Sequence, residues 1–260
     1  MKSIIKTLAF GVIASAALMS GAWAAGDAAP VKKVEWSFNG PFGTFDRAQL
    51  QRGYQVYKEV CAACHSMKYL AFRNLADLGF DEAEVKALAA GYEVEDGPND
   101  DGDMFTRPGR PSDYFPSPFA NEKQARAANN GAYPPDLSLI AKARMGGPDY
   151  IYSLLTGYSE PPADVEMGDG MHYNVYFSGG QIAMAPPLSD DIVTYADGTS
   201  TTVDQMAKDV AAYLMWAAEP KLEERKSLGF RVMIFLVIMT GLFYLINKKV
   251  WAPVKRGEQV

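Results

Sequence analysis

Cys61, Cys64 and His65, in the stretch VCAACHSMKYL, constrain this chain more than any other residues. They are its only two cysteines and one of its two histidines. Three chemistries compete for Cys-x-x-Cys-His. A redox disulfide needs the cysteine pair alone and belongs between a strand and a helix, whereas a helical pattern precedes this pair. A zinc ion on Cys61, Cys64, His65 and His172 would require adjacent Cys64 and His65 to point at one tetrahedral centre. Structural zinc sites prefer two separated pairs. Covalent haem uses all three residues, because two thiols at this spacing add to the porphyrin vinyl groups and the next residue offers its imidazole to iron. The pattern points to one covalently bound haem c. A porphyrin filling part of the core also accounts for a body rich in loops.

Haem iron has a second axial position, and the chain offers many methionines. Met67 lies two residues after His65, on the same side of the ring, and is rejected. Met1 and Met19 fall in an N-terminal leader, Met233 and Met239 in an apolar span, and Met206 and Met215 on a helix where packing is their ordinary role. Met104, Met145, Met167, Met171, Met184 and His172 remain. Met184, in GGQIAMAPPL, follows glycines and precedes the stiff pair Pro186-Pro187, which suits a permanent ligand; His172 is its strongest competitor.

Both ends of the chain read as membrane-directed. Lys2 and Lys6 precede an apolar stretch from Leu8 to Met19 and then Ala22-Trp23-Ala24, the pattern of a cleaved secretory signal over residues 1–24. Near the other end, GFRVMIFLVIMTGLFYLIN (229–247) carries one charge, Arg231, close to its start. As a helix it covers about 28 Å, close to the hydrocarbon thickness of a bilayer, and Arg231 can snorkel to the interface. Basic residues flank the span equally, so orientation rests on the leader. The expected organisation is an exported body over 25–220, an anchor over 221–250 and a cytoplasmic tail over 251–260.

Between Ala25 and Leu228 there are 18 Lys and Arg against 30 Asp and Glu, a formal charge of −12. The acids concentrate in EVEDGPNDDGD (93–103) and EPPADVEMGD (160–169). Such runs are ordinarily solvated, flexible surface; they also make a field that steers a cationic partner. Nucleic acid is excluded as a partner for a body of this sign.

The local patterns are helical. Asp46 caps a helix to about Val60 with Leu50, Tyr54 and Tyr57 on one face. Helices follow over 81–90, 121–130, 136–145 (capped by Asp136) and 149–156 (capped by Asp149). Prolines 108, 111, 116 and 118 mark an irregular stretch, and 157–189 reads as loop. Thr202 starts the last helix of the body, with Val203, Met206, Ala207, Val210 and Leu214 on one face, ended before Pro220. The body is expected to be mostly α with long loops.

With these motifs in place the sequence resembles the cytochrome c1 family, the haem subunits of the cytochrome bc1 complex. The likeness extends beyond Cys-x-x-Cys-His to EVEDGPNDDGDMFTRPGRPSDYFPSPF, ARAANNGAYPPDLSLIAKAR, DYIYSLLTGY, AMAPPL and DVAAYLMWAAEPKLEERKSLG, and to the C-terminal anchor. It implies a class I cytochrome c-like haem domain, its first helix packed on the last soluble helix, plus one transmembrane helix. It also implies thioether anchors at Cys61 and Cys64, axial ligands at His65 and Met184, a haem propionate on Arg144 with Tyr150 nearby, and the Pro134-Pro135 pair against the haem. The additional cysteine pair of some bacterial relatives is missing here. The implied function is electron transfer within a ubiquinol–cytochrome c oxidoreductase of a bacterial cytoplasmic membrane, in respiratory or photosynthetic transport. Cytochrome b and a Rieske iron–sulfur protein are the implied partners and cytochrome c the acceptor, with no chemistry at the haem beyond electron transfer.

Overall fold

Asp46 starts the first helix as its position predicts. In the computed structural model, which describes residues 28–258, its carboxylate accepts from the Ala48 and Gln49 N–H groups at 3.0 and 3.2 Å. The helix, α1 (Arg47–Glu59), buries Leu50, Gly53, Tyr54, Val56 and Tyr57. It runs into a 3₁₀ turn, Cys61–Ala63, and a second 3₁₀ segment, Phe72–Leu78, follows. A reciprocal capping box opens α2 (Glu82–Ala90): Glu84 N–H donates to Asp81, and Asp81 N–H to Glu84, both at 2.8 Å.

The acidic run after α2 is more ordered than a solvated loop. Strand β1 (Glu93–Asp96) pairs antiparallel with β2 (Phe105–Pro108), Glu93 opposite Pro108 and Asp96 opposite Phe105. The helical and loop patterns gave no sign of this hairpin. Arg107, largely covered, holds it by pairing with Asp96 and, bidentately, with Asp113 at 2.6 and 3.1 Å. The exposed Asp100, Asp101 and Asp103 stay at its tip.

Next come α3 (Glu122–Ala128), capped by Asn121, then α4 (Ile140–Ala143) and α5 (Pro148–Leu155). Two expected helix starts are corrected. Asp136 caps nothing helical, because its carboxylate is occupied by other segments and α4 begins only at Ile140. Asp149 lies inside the first turn of α5, after Gly147 and Pro148, and accepts instead from Trp36 Nε1 (2.8 Å), Val34 N–H (3.3 Å) and Lys33 Nζ (3.1 Å). A carboxylate claimed by a distant segment cannot cap its own helix. The loop region beyond holds one short antiparallel pair, β3 (His172–Tyr173) with β4 (Gln181–Ile182).

Helix α6 (Val203–Ala218) starts at Thr202, whose Oγ1 accepts from Gln205 N–H at 3.3 Å. It forms the most extensive contact in the body, against α1, and also touches α4 and α5. The two helices meet at Gly53, where an added Cβ would lie 2.1 Å from the Asp209 carbonyl oxygen and 2.6 Å from Tyr213 Cβ. Beside this crossing the fully buried Asp209 carboxylate accepts from Arg52 Nε (3.0 Å), Gln49 Nε2 (3.3 Å) and Gln205 Nε2 (2.9 Å). A buried charge is tolerable only with such partners. Around the crossing Tyr54, Tyr57, Phe72, Phe115, Tyr213 and Trp216 pack ring against ring.

The chain then enters α7 (Leu222–Val250), one continuous 29-residue helix with a segment of mean hydropathy 2.1, and ends in α8 (Ala252–Lys255). Apolar side chains around the whole circumference of α7, among them Phe235, Val237 and Leu245, are exposed. A helix apolar all round and left largely uncovered by the described residues is suited to lipid. The signal assigned to residues 1–24 lies outside the described residues.

Candidate haem site

The end of α1 shapes the cysteine turn. Val60 N–H still donates to Val56 O at 3.0 Å, after which Cys64 and His65 N–H groups both donate to the Cys61 carbonyl at 3.1 and 2.9 Å. This tight turn leaves two free thiols, Cys61 half-buried and Cys64 exposed. Burial, with Cys64 adding a smaller effect, pushes the Cys61 thiol up to about 12, so it is protonated at neutral pH.

The His65 ring is oriented by one contact. Its Nδ1 lies 2.8 Å from the Pro135 carbonyl oxygen. A carbonyl only accepts, so Nδ1 carries the proton and Nε2 presents its lone pair. Burial lowers the imidazole pKa, against the smaller opposing effects of the Pro135 carbonyl and Asp136, and favours the neutral ring. A neutral imidazole with one nitrogen fixed by a backbone carbonyl is the form that ligates a metal. The thiols of Cys61, one turn before it, and of the adjacent Cys64 complete the donor set of a c-type haem, so these residues fit the group.

Behind His65 the 66–69 and 135–138 segments are laced together. Leu137 N–H donates to Ser66 O (2.8 Å) and Tyr69 N–H to Ser138 Oγ (3.1 Å). Ser66 Oγ (2.8 Å), Lys68 N–H (2.9 Å) and Ser138 N–H (2.9 Å) all donate to the Asp136 carboxylate. Burial alone would raise the Asp136 pKa, but these bonds outweigh it and hold the carboxyl below its usual range. Pro135, itself exposed, is thus fixed through the residue that follows it. Asp136 went unrecognised in this role, since nothing in its local sequence shows that its partners lie about seventy residues earlier. Met67 is fully buried, its Sδ accepting from Tyr213 OH at 3.3 Å, so it is a core residue.

Met184 stands two residues beyond β4 and is half-buried, and its carbonyl accepts from Tyr158 OH at 3.0 Å. Burial raises the Tyr158 phenol, with Tyr150 near enough to add to the effect, so the hydroxyl stays a donor. Tyr158 was also missed, because it lies twenty-six positions before Met184 with no periodic signal between them. His172 sits opposite Ile182 in the β3–β4 pair. Met145 is 94% exposed and Met104 56% exposed. Arg144 is exposed, and its guanidinium donates only to the adjacent Ala143 carbonyl (3.2 Å) among the described residues. Tyr150 is half-buried; burial raises its phenol and the nearby Arg144 charge works against that rise. The candidates thus fall into two groups, His65 with Pro135 and the cysteines, and Met184 with Tyr158, Tyr150 and Arg144. No hydrogen bond among the described residues joins one group to the other.

A family model described as the cytochrome C1 family matches residues 36–254. The chain belongs to the cytochrome c1 family. It is 53% identical to cytochrome c1 of Rhodospirillum rubrum over 239 residues, 86% of this chain and 88% of the relative. It is 54% identical to the mitochondrial cytochrome c1 heme protein of Saccharomyces cerevisiae, covering 86% of this chain and 73% of that one. It is also 51% identical to a cytochrome b/c1 protein of Bradyrhizobium diazoefficiens, covering 95% of this chain but only 40% of that longer protein. As a member of the cytochrome c1 family the chain is the electron-transfer subunit of a bc1 complex, a quinol–cytochrome c oxidoreductase, and carries a covalently bound haem c. The mostly helical body and the one long apolar helix among the described residues agree with a cytochrome c1 haem domain and its membrane anchor.

Proposed function

We propose that this subunit takes one electron from a Rieske iron–sulfur protein and passes it to a soluble or tethered cytochrome c on the periplasmic face of a bacterial cytoplasmic membrane. Cytochrome b is the partner beside the anchor, a reading supported by the relative in which cytochrome b and c1 share one name. Residues 1–24 are a removed signal, 25–220 form the periplasmic haem domain, 221–250 the anchor and 251–260 a cytoplasmic tail. Cys61 and Cys64 hold the haem through thioethers, and His65 and Met184 are its axial ligands. Arg144 pairs with a propionate, with Tyr150 beside it, and Pro135 packs against the ring.

The observation that carries this reading is the 2.8 Å contact from His65 Nδ1 to the Pro135 carbonyl, which fixes the ligating tautomer. Bound haem supplies a one-electron iron couple, which His/Met ligation sets at a high potential. The chain's own residues keep that couple simple. His65 is oriented from behind, and Tyr158 OH holds the Met184 backbone. With His65 and Met184 both holding the iron, no coordination position would be open to small oxidants.

The test is Met184→Leu beside wild type in the haem-loaded protein. The oxidised wild type should show the sulfur-to-iron charge-transfer band in the far red, and the variant should lose it and bind carbon monoxide rapidly when reduced. A variant that keeps the band would assign the sulfur to another methionine, whereas a wild type without the band would remove methionine ligation and make His172→Ala the next protein to measure. Co-purification of cytochrome b and an iron–sulfur protein in mild detergent tests the partners.

A further inference from the structure

Phe42 is 77% exposed, in a turn whose other aromatic residues are all buried. The turn spans residues 37–44, closed by Asn39 N–H to Trp36 O (3.0 Å) and Thr44 N–H to Ser37 O (3.1 Å). Trp36, Phe38 and Phe45 stack at its base. At Gly43 an added Cβ would come within 2.0 Å of the Asn39 carbonyl oxygen, so the turn closes only without a side chain there. Asn39, Gly40 and Pro41 at its tip are exposed. The turn is tightly built, yet it presents a large apolar ring outward.

Its position is fixed by α7. Glu223 accepts from Phe45 N–H (2.7 Å) and from Arg47 Nη2 (2.9 Å). Lys226 Nζ donates to the Phe38 and Gly43 carbonyls at 2.6 and 3.0 Å. Phe230 meets the Phe42 ring edge-on, with centroids 5.9 Å apart. Residues 223, 226 and 230 lie at i, i+3 and i+7, one face of the helix. The turn therefore runs alongside α7 for about 10 Å, towards the apolar segment. Phe230 is the second residue of that segment, 229–247, and Arg231 follows at the level where a charge can still reach water. Phe42 is held at that same level, where aromatic side chains are favoured at a membrane surface.

We propose that Phe42 is a second membrane contact of this subunit: the ring enters the interfacial layer of the leaflet that α7 crosses first. The occupant of this surface is lipid, because the patch is continuous with the apolar surface of α7 and lies at its water-facing end. With α7 as one support and the Phe42 turn as another, bound together through Glu223 and Lys226, the haem domain has a fixed height and tilt above the bilayer. The inference rests on α7 being the anchor.

Replacing Phe42 by the photoreactive p-benzoylphenylalanine, in the assembled complex in native membranes, tests it. The same replacement at Ile234 within the span and at Met104 in the β1–β2 hairpin supplies the references. After irradiation, the peptide containing residue 42 should gain the mass of a phospholipid, at a yield comparable to that at residue 234 and absent at 104. A cross-link from residue 42 to another subunit would overturn the lipid assignment in favour of a protein cover. No adduct at 42 while 234 gives lipid adducts would place the turn in water and also overturn it. Absence at 234 of both lipid adducts and cross-links to cytochrome b would instead overturn the anchor reading on which the inference stands.

Discussion

Replacing Gly53 by alanine sets two effects against each other, and the structure decides the sign. In an isolated helix the change is favourable by about 0.5–1 kcal/mol, because glycine loses more backbone freedom on folding. In this protein the new methyl carbon would lie 2.1 Å from the Asp209 carbonyl oxygen and 2.6 Å from Tyr213 Cβ. Carbon–oxygen contacts settle near 3.3–3.6 Å, so α1 and α6 must separate by roughly 1 Å. Neither obstacle is a side-chain tip that can swing away; one is helix backbone and the other a Cβ. A gap of about 1 Å forfeits a quarter to a half of each dispersion contact across the seam, where Leu50, Tyr54 and Tyr57 face α6. Overpacking of this kind costs about 1–3 kcal/mol, and a backbone clash belongs at the upper end. The net expectation is a loss of about 2 kcal/mol, or roughly 4–8 °C in Tm for a body of this size. Guanidinium and thermal unfolding of the haem-loaded protein, followed by helical circular dichroism, measures it. A Gly53→Ala protein as stable as wild type, or more so, would refute the argument that the crossing requires glycine.

Asp136→Ala removes the acceptor for three hydrogen bonds at a half-exposed site and is expected to lower stability by about 2 kcal/mol. Because the folded carboxyl is held below its usual value near 3.9, that stabilisation is complete above about pH 4 and is lost as the pH falls through the lower folded value. Wild type and variant should therefore converge in acid, and an unchanged gap there would contradict the assignment. Electron exchange with a cationic cytochrome should slow as ionic strength rises and the screening length falls from about 10 Å at 0.1 M to about 3 Å at 1 M. A rate independent of salt would remove steering by the acidic body.

Periodicity made the long elements legible. The face Leu50, Tyr54 and Tyr57, and its counterpart Met206, Ala207, Val210 and Leu214, are buried as their spacing requires, and Asp46 and Thr202 cap as their positions predict. Caps failed where tertiary structure competed for the same oxygen atoms. Asp136 and Asp149 look no different from Asp46 in sequence, yet Asp136 serves the His65 segment and Asp149 serves Trp36. Whether a carboxylate caps its own helix depends on what distant chain reaches it first, and one sequence does not record that. The β1–β2 hairpin was hidden for a related reason. Its strands are four residues each, carry no alternation of buried and exposed positions strong enough to register, and owe their pairing partly to Arg107. Cys-x-x-Cys-His was legible because covalent chemistry fixes its spacing, while the backbone supports of His65 and Met184 were not.

Those supports are unequal, and the inequality bears on how the proposed site is built. The His65 side follows directly from α1, is tied by five hydrogen bonds between residues 66–69 and 135–138 or within the latter, and includes the buried Met67 beneath Tyr213. Its geometry is therefore set by the same α1–α6 seam that Gly53 permits. The Met184 side rests on a two-residue strand pair, the Gln181 side chain bonded to the Glu166 carbonyl (3.0 Å) and the Gly168 N–H (2.9 Å), one tyrosine hydroxyl and the stiffness of Pro186-Pro187. With Cys61 and Cys64 as the proposed anchors, covalent attachment would also fall wholly on the first side. A cofactor bonded to the first side would need from the other only a sulfur atom held in place. In the proposed site the attachment would thus fall on the α1 side, while Met184 and its Tyr158 support both belong to the loop region 157–189.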